Sequence, residues 1–242
     1  MGDFSHAEGE WALAEGYDSH AEGEWTIAKG ISSHAEGVET FAEGKFSHAE
    51  GVCTLAAGYG SHAEGGNMST EGIPYPSSAL PLYHWEGSET YEINSTTAEG
   101  DHSHAEGIMT LAYGDSSHAE GDFTVASGES SHAEGSGTLA SGKYSHAEGG
   151  YTIASGWESH AEGCYTLAYS DYQHVQGKYN IPDEDEQYAH IVGNGTWQER
   201  SNAYTLDWEG NSYQSGKTMT MAAGAFSFVY NETTKSLDFN FA

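Results

Sequence analysis

The sequence predicts an all-β protein whose main body is a parallel β-roll, a solenoid of 14-residue coils that each contain two short strands. First, the pentapeptide SHAEG returns every 14 residues, apart from one interval of 42 residues, which is three times 14. Second, a Thr-apolar-Ala-x-Gly segment such as TIAKG or TLASG lies between successive copies. The copies of SHAEG begin at Ser5, Ser19, Ser33, Ser47, Ser61, Ser103, Ser117, Ser131, Ser145 and Ser159.

Each five-residue segment of the repeat is predicted to be a short strand that ends in a turn. Five residues are too few for a stable helix, and the glycine that closes each segment disfavours one. Glycine suits the turn because it adopts positive φ without steric cost. Stacked in register, such coils place each repeat position in a column along the roll. A degenerate eleventh copy, QHVQG from Gln173, is predicted to be a capping coil.

Strand alternation divides the SHAEG side chains between two faces, with Ser, Ala and Gly on one face and His and Glu on the other. Two close sheets leave a thin interior, and burying unpaired His and Glu charges would cost on the order of several kcal/mol each. We therefore predict that Ser, Ala and Gly line the interior, together with Thr, Ala and Gly of the second segment. The outward columns contain His6, Glu8, His20, Glu22, His34, Glu36, His48, Glu50, His62, Glu64, His104, Glu106, His118, Glu120, His132, Glu134, His146, Glu148, His160 and Glu162.

These outward columns are predicted to form a structural ladder. Glutamates stacked about 4.8 Å apart would repel each other, and histidines beside them would supply hydrogen bonds and positive charge. The pairing should favour the charged forms of both residues. Acid that protonates the glutamates should therefore loosen the assembly.

Two chemical alternatives for the ladder are weaker. Histidine and carboxylate are good ligands for zinc or nickel, and a threefold axis could gather three histidines. Catalysis, however, needs one pocket with perturbed pKa values, and an identical pair at every layer supplies no unique one. No nucleophile motif, phosphate-binding glycine loop or HExxH motif occurs in the sequence. We therefore predict a non-enzymatic protein with no catalytic residues, no metal ligands and no cofactor.

The apolar residues in the middle of the second segments form an outward column on the other sheet. The position two residues earlier adds further large side chains, including Trp11, Trp25, Met109, Phe123, Tyr151 and Tyr165. Nine such layers exceed the few hundred Å² of apolar patch that monomers usually expose, so we expect an oligomer or a partner to cover the strip. The middle column contains Leu13, Ile27, Phe41, Leu55, Leu111, Val125, Leu139, Ile153 and Leu167.

The two segments of the repeat are similar to the head repeats of YadA-like trimeric autotransporter adhesins. The resemblance implies a left-handed parallel β-roll that forms a homotrimer, with the His/Glu sheet toward the threefold axis. The apolar strip argues instead that the other sheet faces the axis, and the sequence leaves this choice open.

SHAEG also resembles repeats of bacteriophage tail-fibre and appendage proteins. The stretches YQHVQGKYN, AHIVGNGT and RSNAYTLDWEGN, between residues 172 and 211, resemble the region before or within Peptidase G2-like autoproteolytic chaperone domains. We expect none of the signal peptide, coiled-coil stalk and membrane anchor of autotransporters, and this expectation favours a phage-like particle.

Residues 1–177 are predicted to form the roll, with an insertion at residues 73–95, and residues 178–242 to form a small antiparallel β-rich C-terminal cap. The cap contains two predicted hairpins, TLDW-EGN-SYQSG and FSFVY-NETT-KSLDFNFA. Insertions in solenoids often bind partners, and aromatic residues suit glycan stacking or protein contacts. The alternative is that the aromatic residues of the insertion pack on the roll or on a neighbouring subunit. The candidate recognition residues are Tyr75, Tyr83, His84, Trp85 and Tyr91.

The chain has 7 basic and 37 acidic residues and a formal net charge of -30. This charge disfavours nucleic acid as a partner, and we expect no secretory signal and no membrane insertion. We expect a homotrimeric fibre, appendage or decoration module, assembled in the host cytoplasm and displayed on an extracellular phage-like particle. Its expected partners are another virion or fibre protein and a host-surface glycan or protein. The alternatives are a purely structural capsid or fibre scaffold and a self-cleaving appendage protein that contains an intramolecular chaperone.

Overall fold

The computed structural model describes residues 2–66 and 95–215 and two later strands at residues 226–231 and 236–241. All regular structure in these ranges is β-structure, as predicted, and no helix in them could cross a membrane. In chain order the strands are β1 (His6–Glu10), β2 (Leu13–Ala14), β3 (His20–Glu24), β4 (Ile27–Ala28), β5 (His34–Val38), β6 (Phe41–Ala42), β7 (His48–Val52), β8 (Thr54–Ala56), β9 (His62–Gly66), β10 (Thr96–Ala98), β11 (His104–Ile108), β12 (Leu111–Ala112), β13 (His118–Asp122), β14 (Val125–Ala126), β15 (His132–Ser136), β16 (Leu139–Ala140), β17 (His146–Gly150), β18 (Ile153–Ala154), β19 (His160–Cys164), β20 (Leu167–Ala168), β21 (His174–Lys178), β22 (Tyr188–Asn194), β23 (Asn202–Asp207), β24 (Ser212–Gln214), β25 (Phe226–Asn231) and β26 (Ser236–Phe241).

Two sheets form the body of the molecule. Among the described residues, the larger sheet has fourteen strands, in the order β1-β3-β5-β7-β9-β11-β13-β15-β17-β19-β21-β22-β23-β24. The smaller sheet has ten strands, the even-numbered ones from β2 to β20. The predicted parallel solenoid of 14-residue, two-strand coils is confirmed, with about twelve turns.

Strand pairing joins identical positions of successive coils. Ala21 and Glu22 of β3 lie beside Ala35 and Glu36 of β5, and the other coils repeat this register. The register also crosses the 42-residue interval, because β9 pairs with β11 and β8 pairs with β10. Each repeat position therefore forms a column along the described part of the roll.

Alanine ladders fill the space between the two sheets. The alanines of both segments, such as Ala21 and Ala28, are completely buried from Ala14 to Ala168. The serine and threonine columns, such as Ser19 and Thr26, are buried beside them. The predicted interior is thus confirmed for Ser, Thr and Ala, and its close packing admits no larger side chain without a shift of the sheets.

The prediction that the SHAEG glycines line the interior is wrong. Gly23 is exposed and has a φ of +119°, and a Cβ at this position would overlap the carbonyl oxygen of Gly37 in the next coil. Glycine is required here by its left-handed backbone and by the close approach of the next coil. The second-segment glycines, such as Gly30, are buried as predicted.

Left-handed non-glycine residues turn the chain between the two sheets. One such residue precedes the serine of the SHAEG segment, as Ser32 does with a φ of 52°. Another precedes the threonine of the second segment, as Trp25 does with a φ of 58°. This backbone costs roughly 1–2 kcal/mol per residue. Hydrogen bonds offset the cost, because the Trp25 N–H donates to the Glu10 carbonyl at 2.9 Å and the Ser32 N–H donates to the Tyr17 carbonyl at 2.8 Å. The repeat pattern does not predict these corners, because residues as different as Ser32 and Trp25 occupy them.

The parallel stack continues beyond the QHVQG coil that the sequence predicts as its cap. Strand β22 pairs in parallel with β21, so that His190 lies beside His174. Strand β23 then runs antiparallel to β22 and ends the parallel stacking. Both predicted C-terminal hairpins are confirmed, as β23–β24 and as β25–β26.

Polar side chains close the edge of the smaller sheet at β20. The buried Asn180 side chain accepts a hydrogen bond from the Leu167 N–H at 2.8 Å and donates one to the Leu167 carbonyl at 3.0 Å, as a further strand would do. The Arg200 guanidinium donates to the carbonyls of Tyr165 and Asn180. These bonds satisfy backbone groups that an unpaired edge would leave free, so the smaller sheet ends without another strand.

Candidate functional site

The ten predicted His-Glu pairs lie on the outer face of the larger sheet, where the histidines form a continuous stack of imidazole rings. From His20 to His174, adjacent ring centroids are 4.7–4.9 Å apart and the rings lie within 8° of parallel. In the middle of the stack about 35% of each histidine side chain is exposed. The in-register strands set this ring spacing, because neighbouring β-strands lie about 4.8 Å apart.

From His34 to His174, each ladder histidine faces the glutamate of the preceding coil across the two columns. The distance from Nε2 to Oε1 is 3.6 Å between His118 and Glu106, and it ranges from 3.1 to 3.8 Å along the roll. At most layers of the described ladder, the Nε2 atom is buried without a hydrogen-bond partner. The histidines thus lie beside the glutamates as predicted, but the predicted hydrogen bond does not form at most layers of the described ladder. It forms at His62, whose Nε2 lies 3.1 Å from Glu50.

Burial and stacking lower the pKa of several ladder histidines. At His48, His104, His118 and His146, loss of hydration lowers the pKa below the ordinary 6.5, and the adjacent imidazoles lower it further. Nearby glutamates raise the pKa but act more weakly. These imidazoles are therefore held neutral near pH 7, and the prediction that pairing favours charged histidine is wrong at these positions.

From Glu64 to Glu148, lowered and raised pKa values alternate between successive glutamates of the column. Hydrogen bonds with Glu64 and Glu120 raise the pKa of Glu106 to about 7. Burial, together with hydrogen bonds to Glu120 and Glu148, raises the pKa of Glu134 to about 7. Glu64 and Glu120 each have a lowered pKa, and the main cause in each is its hydrogen bond with Glu106. Neighbouring carboxyls between Glu64 and Glu148 thus share protons.

The two raised carboxyls predict a specific pH dependence of stability. The folded pKa of Glu106 and Glu134 lies near 7, above the ordinary 4.5, so their protonation stabilises the fold fully below pH 4.5 and this contribution is lost as the pH rises through 7. Glutamine at both positions stays neutral at every pH. The double variant should therefore melt a few degrees higher than the parent chain at pH 8 and at nearly the same temperature at pH 5. Thermal unfolding of chelator-treated protein measures the difference.

The histidines act in the opposite direction on pH. Neutral His104 and His118 stabilise the fold above pH 6.5, and this contribution is lost as the pH falls through their lowered pKa. Because the parent and the double variant have the same histidines, comparing their melting temperatures at one pH cancels the histidine contribution. Glu99→Gln, at an exposed glutamate outside the ladder, is the control and should match the parent at both pH values. A difference between double variant and parent that does not change with pH would contradict the shared protons. Between pH 8 and pH 5, acid should therefore strengthen the contacts of Glu106 and Glu134. The sequence predicts the opposite, that acid loosens the assembly.

An open acidic groove runs beside the glutamate column. One section of about 470 Å³ crosses four successive coils, and another follows the first three coils. The groove forms because the glycines beside the glutamates have no side chains to fill it. Its carboxylates are accessible to cations from solvent. The four-coil section is lined by Glu50, Gly51, Glu64, Gly65, Glu106, Gly107, Glu120 and Gly121.

The apolar column of the smaller sheet has an exposed part and a buried part. Leu13 and Phe41 in the first coils are each 36% exposed. Beside them, Trp11 and Trp25 are 65% and 51% exposed, and their rings stack with centroids 5.2 Å apart. We call these four residues the N-terminal apolar surface. The predicted nine-layer exposed strip is wrong for its last five layers, which are buried within the single chain and need no second subunit to cover them. The buried residues are Leu111, Val125, Leu139, Ile153 and Leu167.

Two histidines outside the predicted pairs extend the ladder. The rings of His174 and His190 stack with centroids 5.0 Å apart, and Gln176, in the place of a glutamate, lies 3.0 Å from His190 Nε2. The segments HVQG, from His174, and HIVG, from His190, share an HxxG pattern. The two histidines are 16 residues apart, so a search for 14-residue repeats misses His190.

The predicted recognition residues cannot be placed relative to these surfaces, because they lie outside the described residues. They are Tyr75, Tyr83, His84, Trp85 and Tyr91.

Comparison with known protein families finds a match within the roll. Residues 105–131 and 133–159 are similar to the YadA head domain repeat, in two copies. Together the matched residues extend from β11 to the start of the β19 coil. No curated protein shows significant similarity to the chain. The match supports a YadA-like head in this part of the roll.

Proposed function

We propose that the chain is a non-enzymatic recognition module that acts as a homotrimer on the surface of a phage-like particle. The observation that carries the proposal is the match of residues 105–131 and 133–159 to the YadA head domain repeat. YadA head domains are trimeric adhesin modules. The unbroken register of the columns on either side of the matched residues supports the extension of this role to the whole roll.

The N-terminal apolar surface supports the proposed oligomer. Trp11 and Trp25 leave about half or more of their area exposed in a single chain, next to exposed Leu13 and Phe41. Contiguous exposed apolar patches of this kind mark interaction sites. Three copies that cover this surface would bury it, while the buried Leu111 to Leu167 layers need no such partner.

The proposed host-surface contact lies in the insertion at residues 73–95, which is outside the described residues. Its tyrosines and Trp85 offer aromatic faces for sugar stacking, and its polar neighbours offer hydrogen bonds. A host glycan is the ligand class that these residue types favour. Attachment to another virion or fibre protein would use a different surface.

A printed glycan array tests this recognition role with the full-length chain. We expect selective binding to a small group of glycans, and we expect the double variant Tyr83→Ala, Trp85→Ala to bind at least about tenfold more weakly, because a lost stacking residue costs roughly 1–3 kcal/mol. Trp197→Ala is the control, since this tryptophan is 77% exposed and lies outside the insertion. If the folded oligomer binds no glycan, the glycan-binding proposal fails and the scaffold alternative is favoured.

A further inference from the structure

Sets of three potential metal ligands recur along the histidine-glutamate ladder. In each set the histidine nitrogens and glutamate oxygens all lie within 4.8 Å of one another. Most of these sets combine one histidine, the glutamate two residues later and the glutamate of the preceding coil. Among the described residues they include Glu22, His34 and Glu36; His48, Glu50 and His62; Glu64, His104 and Glu106; Glu106, His118 and Glu120; and Glu120, His132 and Glu134.

The distances between these atoms fit two ligands of one tetrahedral ion. The Nε2 of His132 lies 3.5 Å from Glu120 Oε1, and the Nε2 of His146 lies 3.3 Å from Glu134 Oε1. Zinc bonds of about 2.0–2.2 Å place two tetrahedral nitrogen or oxygen ligands roughly 3.3–3.5 Å apart. These two ligands already have the spacing of a tetrahedral site, and the third ligand atom of each set, within 4.8 Å of both, would have to move closer to complete the coordination.

The histidine nitrogens supply an independent indication of a ligand. The Nε2 atoms of His34, His104, His118 and His132 are buried and have no hydrogen-bond partner among the described residues. A buried polar atom without a partner is unfavourable, and its lone pair can be satisfied by a cation. Each of these atoms points toward a glutamate oxygen of the preceding coil, so the cation would be held between two coils.

We propose that the ladder binds divalent transition-metal ions of the zinc and nickel class, held by histidine Nε2 atoms and glutamate carboxylates of successive coils. Imidazole nitrogen selects these ions over magnesium and calcium, which prefer all-oxygen sites. The chain's net charge of -30 concentrates cations near the surface. The open groove lets solvent complete the coordination shell.

Shared ligands limit the occupancy to about one ion for every two coils. The sets around His104 and His118 share Glu106, so filling both would place two dications on three glutamates. If ions fill only every second set, each ion has two carboxylates of its own, and their charges neutralise it. Bound ions would cross-link successive coils, and because the unfolded chain has no preformed site, they would stabilise the fold.

The test uses the full-length chain with Cys53→Ser and Cys164→Ser, so that the two free thiols cannot bind the metal. After chelator treatment, zinc chloride is titrated by calorimetry, bound zinc is counted after dialysis, and thermal unfolding is recorded with zinc or with magnesium. We expect several zinc ions per chain and a higher melting temperature with zinc. Magnesium should leave the melting temperature unchanged.

Two ladder variants and one matched control locate the ions. Glu120→Gln removes the carboxylate that the sets around His118 and His132 share, and the double variant His118→Gln, His132→Gln removes the nitrogen ligands of the same two sets. Each variant disables two adjacent sets, so that ions cannot simply move to the neighbouring set, and each should lower the bound zinc by about one ion per chain. His102→Gln, at an exposed histidine outside the ladder, should bind as much zinc as its parent. If one ladder variant fails to fold, the other decides the result. Absent zinc binding, an equal response to magnesium, or unchanged zinc counts in the folded ladder variants overturns the proposal.

Discussion

Gly121→Ala is expected to lower the free energy of unfolding by about 3 kcal/mol. Gly121 has a φ of +110°, and a Cβ at this position would overlap the carbonyl oxygen of Gly135 in the next coil. The obstructing atom belongs to the backbone, so relief requires two coils to separate and their hydrogen bonds to lengthen. Chemical denaturation followed by circular dichroism measures the loss.

Gly150→Ala is the matched control for this substitution. A Cβ at Gly150 would meet no atom within 4 Å, and other coils carry Glu24, Val38 or Ile108 at the same repeat position. The free energy of unfolding should therefore change by less than about 0.5 kcal/mol. Equal losses in the two variants would mean that close approach of the coils is not what requires glycine at Gly121.

Ala133→Leu is expected to destabilise the roll by about 3 kcal/mol or more. Ala133 is completely buried between the two sheets and pairs with Ala119 and Ala147 in the neighbouring coils. A leucine side chain would force the sheets apart across several coils, because buried alanines occupy the adjacent layers. A lower denaturation midpoint in urea, with the slope unchanged, is the expected signature.

Ala57→Leu makes the same chemical change on the outside of the roll. Ala57 is only partly buried, and other coils carry Glu43 or Tyr113 at this repeat position. The control should keep the parent stability to within about 0.5 kcal/mol. If Ala133→Leu were tolerated equally well, the interior between the sheets would have to be wider than the alanine ladders indicate.

Much of the fold could be predicted because the same sequence features recur in every coil. The period of 14 residues specifies the parallel stack, and alternation within SHAEG places Ser19 and Ala21 inside and His20 and Glu22 outside. The hairpin of β23 and β24 follows from turn residues between two alternating segments. These are local patterns, and local patterns are what a sequence displays directly.

The remaining features depend on geometry that the pattern does not encode. Leu13 and Leu111 occupy the same repeat position, yet the first is exposed and the second is buried, because burial depends on what lies over each coil. The lowered pKa of His104 results first from loss of hydration and then from the adjacent His62 imidazole, whereas the glutamates beside it raise the pKa. His190 joins the ladder although its spacing from His174 breaks the 14-residue period.

The solution mass of the purified chain tests the proposed trimeric head most directly. Mass photometry or light scattering should give about 78 kDa, three times the 25.9 kDa of one chain. The double variant Trp11→Glu, Trp25→Glu should shift this mass toward 25.9 kDa, because charge would replace the N-terminal apolar surface that three copies are proposed to bury. A parent chain that stays at 25.9 kDa across micromolar concentrations would contradict the trimer and, with it, the YadA-like mode of recognition.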